Sequence, residues 1–545
     1  MSPLGMSAER RHKELMQQPA AKKLLEKAKA PLDLTQDGVL TAERIETFCS
    51  EACGFRFLYA MERVDRETLQ LLEQLADEMG LVDKMTQLQS GRIMNYIEGY
   101  PSERRAVLHT ALRDFSNDTG KSPLAEEARE DSWIELDKLR SFIDQVDGQQ
   151  KFRQLLVIAI GGSELGPKAH YLALESHWKA GREVYFVDNI DPDGVASVLS
   201  LLKLPETLVL VISKSGTTLE TCANEAWLRA RFSEEGLDPK EHFVAITCPA
   251  TPMDDGEKYS ERFYLWEWIG GRFSTSSMVG GVLISFACGF EVYWQLLKGA
   301  FAMDQMAVLP GLHRNLPLLS SLLTVWNHNF LGASSQALIP YSFALRRYAA
   351  HIQQVEMESN GKSIDQLGRP LQHLSCPIIW GEPGTNGQHS FFQLLHQGTE
   401  KVHLNFVGFA ESSLGEDFTW EGTTQQQKLL ANMFAQALSL AKGKASENPN
   451  RHFSGNRPSN LLISSKLTPY QLGALLAYFE HKVAFQSFLW GVNGFDQEGV
   501  QLGKLLANQF LSALQERQSC LSSDRVADPV QGALLDQLDR LNVSL

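Results

Sequence analysis

LLVIAI, at residues 155–160, is the first of four short apolar runs in the middle of the chain. The other three are EVYFVDN (183–189), TLVLVIS (207–213) and HFVAITC (242–248). Segments with a helical pattern lie between the runs. Because the runs are continuously apolar rather than alternating, they are typical of a parallel sheet that is covered by helices on both faces. The pattern predicts an α/β unit over residues 151–300.

A second series of predicted strands follows the first: QALIPYS (336–342), PIIWGE (377–382), VHLNFVGF (402–409) and NLLISS (460–465). The two series are similar in architecture and share no residue-level repeat. Residues before 151 have the apolar spacing of helices, and the end of the chain is amphipathic. We therefore divide the chain into four parts: a helical N-terminal region (1–150), a first α/β domain (151–300), a second α/β domain (301–518) and a C-terminal tail helix (519–545).

The composition is that of a folded globular protein and limits its partners. Of 545 residues, 43% are hydrophobic and 21% are charged, with a net charge of −14. An acidic chain repels nucleic acid and anionic membranes, so we expect neither as a partner. The seven cysteines form no CxxC pair, which favours a reducing cytoplasm. The most apolar stretch, Met278–Leu297, carries a glutamate, and we expect a buried helix there.

Parallel sheets bind ligands at the carboxyl ends of their strands, and two strand ends in the first unit suit this. IGGSELGPK (160–168) has three glycines, but Pro167 stands where a Walker A loop requires Lys and Ser163 stands at the second Gly of a GxGxxG fingerprint. SKSGTTLET (213–221) has five hydroxyls in nine residues. One or two hydroxyls suffice to cap a helix, so this segment predicts a phosphate site.

Four further segments carry charged or acid–base groups. GGRFSTSS (270–277) offers Arg272, whose planar fork can bind an anionic oxygen or can lie on the surface. QQVEMESNGKS (353–363) places Glu356 and Glu358 at the end of a helix, and GEPGTNGQHS (381–390) places His389 near a helix start. GFDQEGVQLGK (494–504) carries Gln497 and Lys504, which we expect on one face of a helix. Taken singly, each of these groups can also be structural.

Together these segments resemble the glucose-6-phosphate isomerase (phosphoglucose isomerase) family in its bacterial form. The matching motifs are IGGSELGP, SKSGTTLET, GGRFS, MESNGKS, WGEPGTNGQHSFFQLLHQG and FDQEGVQLGK, in the family's order. The resemblance implies two sugar-isomerase (SIS-type) domains, each a parallel sheet flanked by helices. It implies interconversion of glucose 6-phosphate and fructose 6-phosphate through a cis-enediol after ring opening, with no cofactor and no metal. It also implies a homodimer in which His389 enters the partner subunit's site.

The family's residues carry over by motif. Glu358 resembles the catalytic base, Arg272 the residue that stabilises the enediolate, and His389 and Lys504 the ring-opening pair, whose division of labour stays open. The remaining positions resemble residues that bind the sugar or its phosphate: Gly162, Ser163, Ser213, Lys214, Ser215, Gly216, Thr217, Thr218, Gln354 and Gln497.

Two other functions compete with this one. Another SIS-type isomerase, such as the isomerase domain of a glucosamine-phosphate synthase, would share the fold, but the MESNGKS and GEPGTNGQHS pair favours the family named above. A catalytically silent sugar-phosphate sensor would lack some of the acid–base residues, all of which are present.

One departure from the family's pattern concerns Ser215-Gly216, where animal members have a Thr-Phe pair. The first 150 residues match no motif of the family.

Overall fold

The computed structural model describes residues 14–116, 121–518 and 528–541. The chain divides into two units, Met1–Phe495 and Asp496–Leu545. Its strands are β1 (Cys49–Ala52), β2 (Phe55–Leu58), β3 (Ile93–Asn95), β4 (Arg105–Ala106), β5 (Gln154–Ile158), β6 (Glu183–Val187), β7 (Thr207–Ile212), β8 (Phe243–Thr247), β9 (Glu261–Tyr264), β10 (Ser335–Tyr341), β11 (Ile378–Trp380), β12 (Val402–Phe409), β13 (Thr419–Trp420), β14 (Thr423–Thr424) and β15 (Ser459–Ser464).

The α-helices surround two sheets in the first unit and make up most of the second. They are α1 (Pro19–Lys27), α2 (Ala42–Thr47), α3 (Arg66–Met79), α4 (Leu81–Gln89), α5 (Pro123–Gln149), α6 (Leu165–Ala173), α7 (Pro192–Leu199), α8 (Leu219–Glu234), α9 (Pro239–His242), α10 (Met278–Cys288), α11 (Phe290–Ala307), α12 (Leu316–Val325), α13 (Tyr348–Asn360), α14 (Gly384–Gln388), α15 (Phe392–Gln397), α16 (Gln425–Lys442), α17 (Pro469–Trp490), α18 (Gln501–Gln518) and α19 (Pro529–Asp539).

The first sheet is wholly parallel, with the strand order β6-β5-β7-β8-β9. Every residue of β5, β7 and β8 is buried, because helices cover both faces. The predicted apolar runs therefore mark these strands correctly, and the α/β fold class is confirmed. The sequence did not reveal β9, a short strand (ERFY) in which two charged residues precede two aromatic ones and only Phe263 is buried.

The second sheet has the order β1-β2-β15-β12-β10-β11. Its strands β15, β12, β10 and β11 are parallel, as predicted. The expectation that the first 150 residues are helical needs correction, because β1 and β2 form a hairpin whose second strand pairs antiparallel with β15. These strands alternate buried and exposed residues, as an antiparallel edge with one covered face does.

The two sheets connect their parallel strands in the same way. In the first sheet the chain passes from β5 to β6 on one side and then to β7 on the other side of β5. In the second sheet it passes from β10 to β11 and then to β12 on the other side of β10. Each sheet therefore has a topological switch point where its first and third parallel strands lie side by side. The predicted domain boundaries stay a prediction.

The structure also bears on three smaller expectations. The apolar stretch predicted as one buried helix is two helices, α10 and α11, which break at Gly289 with a φ of 99°. Among the described residues, no helix is both long and apolar enough to cross a membrane. The predicted tail helix is α19, while 519–527 and 542–545 lie outside the described residues.

Candidate active site

The hydroxyl-rich segment lies between β7 and α8, at the switch point of the first sheet. Ser213 is buried directly after β7, and its Oγ lies 2.9 Å from Thr218 Oγ1. Thr218 occupies the N-cap position of α8, but its side chain does not cap the helix. The hydroxyls are thus not consumed as helix caps. The segment combines them with the N-terminus of a sixteen-residue helix, where an anion is stabilised.

Backbone contacts fix the shape of this loop. Gly216 has a φ of 66°, and a Cβ there would lie 3.1 Å from Met253 N and from the Thr251 side chain. Glycine is favoured at such a left-handed position. Ser215 and Thr217 are exposed, and the Ser215 hydroxyl accepts a hydrogen bond from Thr217 N–H at 3.2 Å. Their side chains lie on the solvent side of the loop.

Lys214 connects this loop to the segment that precedes Arg272. Its ammonium donates to the backbone carbonyls of Glu267 at 3.0 Å and Ile269 at 2.8 Å. Burial lowers the pKa of Lys214. Two of the three N–H donors of this group are therefore used by the main chain, which sequence reasoning did not anticipate.

The turn after β5 touches the turn that carries Arg272. Gly161, Gly162 and Ser163 form a single 3₁₀ turn directly beyond this strand. A Cβ at Gly162 would lie 2.4 Å from Gly271 C and 2.6 Å from Arg272 N. Since real Cβ atoms do not approach backbone atoms this closely, only glycine fits. The close contact sets the distance between the end of β5 and Arg272.

Arg272 is buried, which excludes the alternative of an ordinary surface arginine. Its Nε donates to Ser359 Oγ at 2.6 Å and its Nη2 donates to the Gly494 carbonyl at 2.7 Å. Its Nη1 lies 3.7 Å from Glu358 Oε2. The guanidinium is thus held on two sides and faces a carboxylate. Such a fixed planar cation can stabilise negative charge that develops beside it.

The two glutamates of the MESNGKS motif have different environments. Glu356 is completely buried and binds Lys482 and Gln486. The Glu358 side chain is 22% exposed, and its Oε2 has no hydrogen-bond partner among the described residues. Gln354 lies one turn before Glu358 on the same face of α13, close to Gly161. Of the two glutamates, Glu358 is thus the one whose carboxylate a substrate can reach.

A buried ion network supports the segment behind Arg272. Arg113 donates to Asp304 and Glu480, and its Nη1 donates to Ser276 Oγ at 3.1 Å. Burial raises the pKa of Glu480 to about 7. Burial acts in the same direction on Asp304, but the adjacent Arg113 prevails and lowers the pKa of Asp304 to about 2. Because Arg113 lies in the N-terminal region, that region helps to hold the site.

The remaining predicted residues lie elsewhere. His389 directly follows α14, beyond β11 of the second sheet, and is exposed. Gln497 and Lys504 belong to the second unit. Their expected position on one face of a helix is wrong for Gln497, which precedes a 3₁₀ turn at Glu498–Val500, while Lys504 lies in α18. The central residue of that turn is Gly499, and glycine disfavours regular helix.

Comparisons with known proteins place this chain in a family. The family model described as phosphoglucose isomerase matches residues 58–528. The chain belongs to the phosphoglucose isomerase family. It is 53% identical over 526 residues to a glucose-6-phosphate isomerase of Protochlamydia amoebophila, covering 96% of this chain and 97% of that protein. It is also 53% identical over 496 residues to one of Chlamydia pneumoniae, covering 91% and 94%.

Solved structures agree with this family assignment. A crystal structure of a glucose-6-phosphate isomerase from Chlamydia trachomatis superposes with a TM-score of 0.93 at 46% identity, covering 97% of this chain and 100% of that one. A hypothetical protein from Thermus thermophilus superposes with a TM-score of 0.63 at 26% identity, covering 81% and 97%. The predicted resemblance to the phosphoglucose isomerase family is confirmed.

Proposed function

We propose that this chain interconverts glucose 6-phosphate and fructose 6-phosphate, a step of glycolysis and gluconeogenesis. The observation that carries the proposal is the pairing of Glu358 with Arg272 at 3.7 Å beside the switch point of the first sheet. Membership of the phosphoglucose isomerase family supports this substrate over those of other SIS-type isomerases.

In the proposed mechanism, Glu358 moves a proton between C2 and C1 of the open-chain sugar. One carboxylate suffices because both carbons belong to the same cis-enediol. Negative charge then develops on O1 and O2, and the fixed guanidinium of Arg272 stabilises it. Gln354, which lies one turn from Glu358, contacts the substrate. Among the described residues, neither Gln354 Oε1 nor Glu358 Oε2 accepts a hydrogen bond, which leaves both oxygens available to a substrate and supports these roles.

The sugar phosphate is held at the carboxyl ends of β5 and β7. We assign its binding to Gly162 and Ser163 and to the loop from Ser213 to Thr218. The hydroxyls and the N-terminus of α8 would supply the donors. Lys214 would act mainly by tying this loop to the Arg272 segment. Binding energy from the phosphate, remote from C1 and C2, positions the reacting carbons.

Ring opening is assigned to His389 and Lys504, with Gln497 nearby, on their motifs alone. One donates a proton to the ring oxygen while the other removes the proton of the C1 hydroxyl, and their order stays open. We further propose a cytoplasmic homodimer in which His389 serves the neighbouring subunit. The exposure of His389 on its own chain supports this arrangement.

The decisive experiment is an assay of fructose 6-phosphate conversion coupled to oxidation of the glucose 6-phosphate formed. We expect robust turnover when the only cofactor present is the oxidised nicotinamide nucleotide that the coupling dehydrogenase uses. A protein that binds inorganic phosphate yet shows no turnover would be the catalytically silent sensor instead.

A subunit-mixing experiment tests the shared site. His389→Ala and Glu358→Gln chains should each be nearly inactive alone, and hybrid dimers should regain part of the activity because one of their two sites receives both intact residues. Subunit exchange is verified by native mass spectrometry. Verified hybrids without recovered activity would place both residues in one chain's site.

A further inference from the structure

The last turn of α13 is attached to a buried helix directly beside Glu358. Glu356 Oε2 accepts a hydrogen bond from Lys482 Nζ at 2.8 Å, and its Oε1 accepts one from Gln486 Nε2 at 2.9 Å. Lys482 and Gln486 are four residues apart in α17, so they present their donors on one face. Both side chains of the ion pair are 0% exposed.

A second attachment lies on the other side of Glu358. Asn360 Nδ2 donates to the Val483 carbonyl at 3.1 Å and approaches Gln486 Oε1 at 3.4 Å. Ser359, between Glu358 and Asn360, accepts from Arg272 Nε. The turn is thus fixed before and after Glu358, while the carboxylate of Glu358 itself remains partly exposed.

Helix α17 is suited to hold the end of α13 in a fixed position. Residues 472–490 of α17 are all buried, so the helix has little freedom to move. A charged lysine in such a helix must be paired, and a buried ion pair often contributes no more stability than apolar residues of the same size. Stability alone therefore gives little reason to bury Lys482 against Glu356.

We propose that Lys482 and Gln486, acting through Glu356, are positioning residues that set the location of the Glu358 carboxylate. This inference rests on the proposed function. A single base must reach two adjacent carbons of the substrate, and a displacement of about 1 Å can lower turnover about 10²-fold. The attachment to α17 keeps Glu358 at its place opposite Arg272.

The primary test is Lys482→Met, which keeps the length of the side chain and removes its charge. We expect kcat to fall about 10- to 100-fold with KM changed less than about twofold, since phosphate binding is untouched. The kinetic isotope effect on kcat for glucose 6-phosphate deuterated at C2 should rise, because proton transfer becomes slower relative to the other steps. A variant that is only less stable would keep the wild-type isotope effect in its folded fraction.

A double variant separates positioning from stability. Lys482→Met leaves Glu356 as an unpaired buried charge, so Tm falls, whereas Glu356→Gln with Lys482→Met buries no charge and should recover much of the Tm. If the pair positions Glu358, the double variant keeps its low kcat and raised isotope effect. Since it is expected to fold, it carries the test even where the single variant does not.

Glu62→Gln is a matched control, because Glu62 is equally buried and binds His403 at 2.6 Å and Asn460 at 2.8 Å in the second sheet. It should lower Tm and leave kcat and the isotope effect unchanged. Recovery of kcat together with Tm in the double variant would overturn the proposal, as would an unchanged isotope effect. An inactive wild-type enzyme would instead refute the proposed function, so the two failures are distinguishable.

Discussion

The two sheets share the order of their first four parallel strands and carry oppositely charged side chains after the third. The third parallel strand of the first sheet, β7, is followed by SKSGTT (213–218), and its counterpart β12 is followed by ESSLGED (411–417). The first loop has a lysine and no carboxylate, whereas the second has three carboxylates. Serines are present in both. A phosphate is attracted by the first loop and repelled by the second. The topology thus places a loop at the switch point of each sheet, and the side chains of that loop determine whether it can bind an anion.

The second sheet contributes to the site through a different element. In the first sheet, β5 leads through a glycine turn into α6. In the second sheet, β10 leads into α13, whose far end carries Gln354 and Glu358. The comparison therefore predicts that the first sheet binds the substrate and the helix after β10 performs proton transfer.

Glu358→Gln should have the largest effect, because it keeps the shape of the side chain and removes its ability to accept a proton. We expect kcat to fall at least ~10²-fold while KM changes little. The matched control is Glu411→Gln in the acidic loop of the second sheet, which should retain wild-type turnover in the coupled assay. Near-normal turnover of Glu358→Gln would end its assignment as the base.

The next largest effect is expected on substrate binding, when the loops after β7 and β12 are changed in turn. Combining Ser213→Ala with Thr218→Ala should raise KM for the sugar phosphate and Kd for inorganic phosphate alike, by about 10- to 100-fold, since each hydrogen bond to a charged group contributes about 1.5–3 kcal/mol with incomplete additivity. Calorimetric titration with phosphate measures the second constant. Ser412→Ala with Ser413→Ala, the equivalent change after β12, should alter neither. Equal losses in both double variants would contradict the division of labour between the sheets.

The fold could be predicted from the sequence where burial is complete. Strands such as β7 and β12 are buried along their whole length and are mostly apolar, and their predicted limits agree with the structure within one residue. Strands with one covered face left no such pattern. For that reason β1 (CSEA) and β9 (ERFY) could not be told from loop or helix.

The site was predictable as a set of motifs and not as a geometry. From the residues alone, without the family resemblance, the roles of Glu356 and Glu358 could not be separated, because the environment of Glu356 depends on Lys482 and Gln486, which are far away in the sequence. The one available signal was the run of three ionisable residues at 480–482 inside a mostly apolar helix. The contacts of Lys214 with two backbone carbonyls could not be predicted from the sequence, since every residue has a backbone carbonyl whatever its side chain.

We expect a smaller effect from a change in the glycine turn after β5. This turn distinguishes the first sheet from the second, where Ser342 and Phe343 follow β10. Gly162→Ala forces the Arg272 turn to move, since the new Cβ would meet Gly271 C at 2.4 Å. We expect kcat/KM to fall about tenfold, as overpacking at this contact costs about 1–3 kcal/mol. Gly194→Ala is the control, because a Cβ there meets nothing within 4 Å. Steady-state kinetics on both variants gives the result, and equal values would refute a role for the close contact.

The smallest effect concerns the pH dependence of stability and the buried carboxylate of Glu480 behind the Arg272 segment. The pKa of Glu480, which contacts Arg113, is raised by burial from an ordinary value of 4.5 to about 7. Between those values the folded state binds more protons than the unfolded state, so this group lowers the free energy of unfolding as pH rises, by at most about 1.4 kcal/mol per pH unit. Glu480→Gln cannot titrate, so its stability should fall less steeply than that of the wild type from pH 5 to 7. Urea unfolding followed by circular dichroism at several pH values measures this difference. A slope of Glu480→Gln equal to that of the wild type would show that Glu480 is already ionised in the folded protein at pH 5.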